Sequence, residues 1–278
     1  MKRKIFCLIL NYRRYRQTQT CLRALQRADV PLGTRFLIID NSPRPKLKLL
    51  DKFNSFRHTS TLISPKNIGF SAGNNQGIKQ ALKAKATQIL IINPDVTVPH
   101  SFFKPLLRDL INHHRTGLVA PAIKHYQNGH LRFGLEGQIN WKFAKATHIN
   151  LPKRPSEELR SSLFVTFACV LIDAAVFNKI GFLDERYFMY LEDVDYCLRA
   201  KKAGFNIYLD PSVTVTHQTS ASFANPISKL PISFVSQVKF IFKWLTFPQT
   251  LIALAYNVAL YLYLFFLWEY QFLKRKYL

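Results

Sequence analysis

Acidic residues are scarce in this 278-residue chain: sixteen Asp and Glu stand against thirty-nine Lys and Arg, a formal net charge of +23. A cysteine framework is missing too. Cys7, Cys21, Cys169 and Cys197 are scattered without metal-ligand spacing, which leaves buried, reduced thiols in a reducing compartment as the reading. No zinc finger, RNP motif or basic zipper accompanies the basic residues, so nucleic acid is not the expected partner. A secretory signal is also absent: Ile5–Leu10 supplies only six apolar residues, followed by Asn11-Tyr12-Arg13-Arg14 with no small-residue cleavage site. That run reads as a buried strand, and the expected location is cytoplasmic.

What remains is a globular composition, 48% hydrophobic and 20% charged, sufficient for one sizeable core. The basic residues recur as short clusters, Lys2-Arg3-Lys4, Arg13-Arg14, Lys201-Lys202 and Lys274-Arg275-Lys276. Their distribution suits an anionic membrane surface or phosphorylated ligands.

The first half alternates strands and helices. The continuous apolar run Ile5–Leu10 predicts a strand covered on both faces, and Phe36–Ile39, Thr61–Ile63 and Ile89–Ile92 read as further strands, with helices over Thr18–Ala28 and Ser71–Ala86 between them. This rhythm predicts an α/β fold with a mixed, mainly parallel, Rossmann-like sheet and helices on both faces. Residues 121–160 read as a long excursion with a hairpin near His130–Phe133. Beyond it come a strand at Phe164–Ile172, helices at Ala174–Ile180 and Glu192–Ala203, and a last strand at Val213–Thr216.

Each early strand ends in polar residues: Asn11-Tyr12, Asp40-Asn41-Ser42, Asn67 to Asn75, and Asn93-Pro94-Asp95. Any one cluster is explained by turn formation. Four at the same edge of one sheet point to a ligand site, because such sheets bind ligands beyond the strands' carboxyl ends. Asp95 reads as a metal ligand or a turn aspartate, and Asp40 as an acceptor for a base N–H or an Asx turn. Glu192, Asp193 and Asp195 crowd the start of one helix; they are dipole partners or a catalytic cluster behind an aromatic wall, Tyr187-Phe188-Met189-Tyr190. His217 is a structural residue or a further metal ligand.

These motifs, in order, resemble the family-2 glycosyltransferases of GT-A fold. The carriers are Leu10-Asn11-Tyr12, Ile39-Asp40-Asn41-Ser42, Asn67 through Gly77, Asn93-Pro94-Asp95, and Gly181 to Glu185 with Phe188 to Asp195. The likeness runs from about residue 4 to about 222 and is nearest to the bacterial rhamnosyltransferase-like branch that builds surface polysaccharides. It implies an inverting sugar transfer from a nucleoside-diphosphate sugar, with dTDP-rhamnose the leading donor and UDP-hexoses next. By the same resemblance Asn11, Tyr12 and Asp40 contact the nucleoside. Asn67, Gly69 and Asn74 shape its pocket, with Gly69 and Gly73 admitting close backbone approach, and Asn93 opens a DxD-like motif whose final Asp95 holds Mg²⁺ or Mn²⁺. Asp193 is the expected base, Glu192 and Asp195 position it or the acceptor, and His217 completes the metal's ligands. Two departures stand out. Asn93 replaces the first carboxylate of that motif, and Arg13-Arg14 follows the tyrosine where small or amide residues are usual.

From Trp244 to Trp268 no Asp, Glu, Lys, Arg or His occurs. Pro248, Asn257 and the Tyr and Trp content favour a monotopic anchor over a span or a soluble helix pair, with helices near Ile232–Leu245 and Gln249–Phe272. The expected organisation is therefore a catalytic domain over 1–222 and a basic, aromatic membrane-associating tail over 223–278. The enzyme is placed at the cytoplasmic face of the membrane, beside a polyprenyl-diphosphate-linked glycan acceptor. A nucleotidyltransferase would carry a Gly-rich signature and a lysine near the first strand, which Leu10–Tyr15 lacks. A non-enzymatic basic membrane- or nucleic-acid-binding protein leaves the acidic cluster and Asp95 without a purpose.

Overall fold

In the computed structural model, residues 3–127, 129–218 and 226–277 are described, the side chains of 226 and 272–277 aside. The expected division at residue 222 falls outside them. The N-terminal half runs β1 (Ile5–Asn11), α1 (Tyr15–Arg27), β2 (Arg35–Asp40), α2 (Leu47–Asn54), β3 (Thr59–Ile63), α3 (Gly69–Lys83) and β4 (Gln88–Ile92). It continues through β5 (Val96–Thr97), α4 (Phe103–Asn112), β6 (Thr116–Gln127), β7 (His130–Asn140), β8 (Lys145–Leu151) and β9 (Arg160–Ser161). Then come β10 (Cys169–Asp173), α5 (Ala174–Ile180), α6 (Glu192–Lys202), β11 (Asn206–His217), α7 (Leu230–Trp244) and α8 (Gln249–Tyr277).

The sheet order is β3-β2-β1-β4-β10-β6-β11-β5, with β7 and β8 extending from β6. The first four strands are parallel, β10 runs antiparallel between β4 and β6, and β6 pairs with β11 in parallel. Strand β1 explains why unbroken apolar runs occur here. Phe6 and Leu8 join the core under α3 and α6, while Ile5, Cys7 and Ile9 join the core under α1 and α4. Both faces are covered, so neither parity of the strand can be polar. All four cysteines are free and buried, and burial pushes the thiols of Cys7 and Cys169 up.

Several boundaries differ from the sequence reading. Helix α1 begins at Tyr15 because Tyr15 and Thr18 are buried polar anchors as well as helix residues. Helices α2 and α4 were not anticipated. Two residues of α2, Leu50 and Phe53, are buried, as are Leu106, Leu107 and Leu110 of α4. The excursion over 121–160 is mostly sheet, with β6, β7 and β8 forming a long antiparallel meander rather than one short hairpin. The expected strand at Phe164–Ile172 is realised only from Cys169 on, as Cys169–Asp173, and the last strand begins at Asn206, ahead of a register shift between Asp210 and Thr214. Nor does the tail stand apart: Phe240 and Ile241 of α7 are wholly buried in the main core.

Candidate active site

The carboxyl ends of β1 and β2 lie side by side, with Asn11 paired to Asp40 in register. Asp40 is wholly buried. Its Oδ1 accepts from Asn11 Nδ2 at 2.8 Å and Ser42 Oγ at 2.6 Å, and its Oδ2 from Tyr15 Oη at 2.9 Å. Asn11 Oδ1 in turn accepts from Thr18 Oγ1 and the Arg14 N–H. Asp40 and Asn11 thus form a closed network that fixes the strand ends. Tyr12, half-buried with the Arg13 guanidinium 5.4 Å from its ring centroid, stands at the surface of this network.

Asn41 organises the next loop. Its amide donates to Asn67 Oδ1 and Gly69 O, and its carbonyl accepts the Ile68 N–H. Gly69 and Gly73 stand where the chain does approach closely, and the groups that approach are the protein's own. At Gly69, with φ +87°, an added Cβ would lie 2.5 Å from Phe188 O and 2.7 Å from its ring, and at Gly73 2.7 Å from Leu10 Cδ1. These glycines let α3 close on the sheet and on the turn before α6. The Phe70 N–H donates to Phe188 O at 2.6 Å, tying the two motifs together. Asn74 is wholly buried and donates to Phe70 O, so it supports the loop from inside rather than lining a pocket. Asn75, which sequence reasoning left without a role, brackets Leu183 through its N–H and carbonyl and also reaches Glu185.

After β4, the Asn93 N–H donates to Ala168 O and Pro94 turns the chain. Asp95 then meets His217, 122 residues away, with Oδ1 and Nε2 3.0 Å apart. The pairing follows from β5 lying antiparallel to the end of β11, which sets His217 opposite Val96. Asp95 also lines a cavity of about 240 Å³ with Arg16 and Thr20, a basic and hydroxyl-bearing wall suited to phosphate. An oxygen and an imidazole nitrogen at this spacing fit a divalent cation. Among the described residues no group of three His, Cys, Asp or Glu side chains forms. Mg²⁺ or Mn²⁺ held here would draw its other ligands from substrate phosphates and water, as Mg²⁺ sites do.

The three clustered carboxylates separate in the structure. Tyr190 and Leu191 both adopt left-handed backbone conformations, with φ of 72° and 65°, and launch α6 at Glu192. Such positions cost bulky residues about 1 kcal/mol or more each, so the turn must be held from outside. Ser236 Oγ of α7 does so, donating to Met189 O at 2.7 Å. Asp193 accepts from the Val194 N–H at 2.8 Å and the Phe167 N–H at 3.4 Å. Burial pushes its carboxyl up, against the favourable charge of His148. Glu192 is 6% exposed with Oε2 lacking a partner; burial, then the Asp193 charge, raises it well above the usual range. Burial thus raises both carboxyls of the pair, and at Glu192 the Asp193 charge adds to the effect.

Asp195 belongs to a different assembly. It is wholly buried and bonded to Arg199 Nε at 2.9 Å, Lys243 Nζ at 2.7 Å and Trp244 Nε1 at 2.9 Å. Its grouping with the reacting carboxylates is corrected: it fastens α6 to α7. Lys243 also reaches Asp184 Oδ2 at 2.7 Å, and hydrogen bonds from Arg186 and Lys243 hold the Asp184 carboxyl well below the usual range.

A second cavity, of about 220 Å³, is lined by His125, His148, Thr166 and His217, with Pro121 and Leu209 among its apolar wall. It joins both halves of the site, because His217 pairs with Asp95 and His148 interacts with Asp193. His148 was invisible to motif reasoning, since it lies in β8 outside every motif. Its Nδ1 is 3.2 Å from Leu135 O and its ring edges Phe164.

A parallel β-sheet half ending in polar loops, an Asp–His pair and an acidic helix start define the GT-A class of fold. Residues 8–230 match the family described as glycosyltransferase like family 2, and the chain belongs to that family. Among solved structures, GalNAc-T7 with UDP, GalNAc and Mn²⁺ matches over 87% of this chain and 51% of its own, with TM-score 0.65 and 13% identity, a likeness of fold. A low-salt glycan biosynthesis hexosyltransferase of Haloferax volcanii is 27% identical over 180 residues, covering 62% of this chain and 55% of that protein. The N-acetylglucosaminyl-diphospho-decaprenol L-rhamnosyltransferase of Mycobacterium tuberculosis is 26% identical over 155 residues, covering 51% and 50%. The chain thus spans about half the length of these relatives.

Proposed function

We propose that this protein is an inverting glycosyltransferase acting on a nucleoside-diphosphate sugar, with a growing, lipid-linked glycan as acceptor. The observation that carries the reading is one cavity lined by His217, the partner of Asp95, and by His148, whose charge acts on the Asp193 carboxyl. A leaving diphosphate at the first and an attacking hydroxyl at the second would meet across a single sugar ring.

Asp95 and His217 would hold Mg²⁺ or Mn²⁺, which supplies charge neutralisation for the diphosphate. Tyr12 and Asn67 would face the nucleoside, with Asn11, Asp40, Asn41 and Asn74 fixing their loops. Asp193 takes the acceptor hydroxyl's proton while that oxygen forms its bond to the anomeric carbon. The anomeric C–O bond breaks and its electron pair leaves with the diphosphate, so configuration inverts. Burial and the Asp193 charge disfavour a second negative charge on Glu192 beside the base.

The names of the relatives, a dTDP-rhamnosyl transferase of Shigella flexneri among them, favour dTDP-rhamnose as donor, with UDP-hexoses next on the family resemblance. They also favour a polyprenyl-diphosphate acceptor. Helix α8 supports a membrane position, since Gln249–Gln271 is long and apolar enough to cross a bilayer and exposes Leu251, Leu262 and Phe266. We place it as a monotopic anchor on the cytoplasmic face, with basic residues on anionic lipid.

The test is release of nucleoside diphosphate from a panel of nucleotide sugars, with and without Mg²⁺ or Mn²⁺. Metal-dependent release from one sugar nucleotide is expected. Pyrophosphate release from a nucleoside triphosphate would indicate a nucleotidyltransferase instead.

A further inference from the structure

A groove of about 370 Å³ lies between α7 and α8, outside the cavities that hold the reacting groups. Its walls are Leu230, Pro231, Phe234, Val258, Leu262 and Phe265, with the ring of Tyr261. The single hydroxyl among these side chains, on Tyr261, is bonded to Ser233 Oγ at 2.6 Å. The groove therefore offers hydrocarbon and nothing for a polar ligand to bond.

Its position is specific. Ser233 and Ser236 lie less than one turn apart on α7, about 4.5 Å along the helix axis. The first touches the groove residue Tyr261, and the second holds Met189 at the turn before Glu192. One end of the groove thus adjoins the catalytic turn, while Leu251, Ile252 and Phe266 of α8 present an exposed apolar surface beyond it.

This continuity selects the occupant. A bilayer acyl chain could lie against any exposed face of α8 and would have no reason to reach the turn carrying Glu192. An acceptor joined to a hydrocarbon chain must offer its hydroxyl to Asp193 while its chain departs toward the membrane, and the groove is an apolar path between those points. We propose that the α7–α8 groove seats the first isoprenoid units of a lipid-linked glycan acceptor. The inference rests on the glycosyltransferase reading above and adds to it a subsite for the lipid.

The experiment uses the full chain in detergent micelles and a long-chain polyprenyl phosphate as probe, with phosphatidic acid as the bilayer-lipid comparison. Val258→Trp fills the groove, and Ile252→Trp places the same bulk on the exposed surface of α8. The wild type is expected to bind the polyprenyl probe at least tenfold tighter than phosphatidic acid. Val258→Trp should lose most of that preference, and Ile252→Trp should keep it. Equal affinity for both lipids, or equal loss in both variants, overturns the proposal. So does a dimer in the wild type that Val258→Trp dissociates, which would make a second copy the occupant. Donor turnover in the nucleotide-sugar panel is measured on the same preparations. Turnover without selective polyprenyl binding removes the groove alone, whereas selective binding without turnover on any sugar nucleotide removes the transferase reading.

Discussion

Lys243 Nζ lies 2.7 Å from Asp195 Oδ1 and 2.7 Å from Asp184 Oδ2, so one ammonium on α7 joins α6 to the loop that precedes it. Asp195 has no solvent exposure, which makes this a buried, charge-assisted bond rather than a surface pair. Lys243→Met should destabilise the fold by about 2 kcal/mol, the worth of a hydrogen bond to a buried charge. It should also lower kcat while leaving the donor KM near wild type, because α6 loses its external fastening and the nucleoside loops do not. Thermal melts with steady-state kinetics check both; unchanged kcat at a lowered Tm would reduce the contact to fold support alone.

Asp193→Asn is expected to cut kcat by about 10²–10⁴, the usual contribution of a general base. Affinity for the nucleotide should stay nearly intact, since Asp193 accepts from Val194 and Phe167 rather than from the nucleoside loops. Calorimetry with the nucleoside diphosphate and turnover with the cognate sugar nucleotide measure the two halves separately. Retention of more than about a tenth of wild-type turnover contradicts the assignment.

Burial raises the Asp193 carboxyl. A base must be ionised to act, so kcat/KM should fall as pH drops through that raised value. The acid limb of the profile should lie above the unperturbed aspartate value of about 3.9. A limb at or below it would mean that another group limits the rate.

Much of this arrangement could be read in the chain before any coordinates. The run Ile5–Leu10 already required cover on both faces, and the strand-end polar clusters marked the edge of the sheet where the candidate site is proposed. Burial of the polar residues was not legible. Asp40, Asn74 and Asp195 look like surface polar residues in one dimension, yet each is wholly buried. Asp195 depends on a lysine and a tryptophan nearly fifty residues away, separated from it by β11, and no local pattern records such a bond. The β6–β8 meander was obscured for a related reason: its residues face a cavity on one side, so alternation is broken by His125, His148 and glycines.

Asp95→Ala should abolish metal-dependent release of nucleoside diphosphate. His217→Ala should raise the Mn²⁺ needed for half-maximal activity by about tenfold, comparable to losses seen on weakening a metal's surroundings. Metal titration of turnover, with circular dichroism to confirm folding, distinguishes the two variants. Identical metal dependence in wild type and His217→Ala would leave the histidine as a structural partner of Asp95.

Glu192 offers a test through stability. Its carboxyl is raised above the unfolded value, so the folded state binds the extra proton more tightly and stability declines as pH rises from the unfolded toward the folded value. Glu192→Gln removes the ionisation and should raise Tm relative to wild type at pH 8. The difference should shrink as pH falls below about 4, the unperturbed glutamate range. Melts between pH 4 and 8 reveal it; a pH-independent difference would place the proton elsewhere in the pair.

The bond from Trp244 to Asp195 closes a loop of 49 residues, and this has a consequence during synthesis. At roughly 5–20 residues per second, the ribosome adds α7 some seconds after it has added α6. Until then the Asp195 carboxylate lacks two partners, Met189 lacks Ser236, and the turn that launches the base has nothing to hold its left-handed backbone. A nascent chain can thus form the strand-end loops well before the start of α6 gains its support from α7. Under the proposed assignment of Asp193, the acceptor side of the site is the last part to be completed.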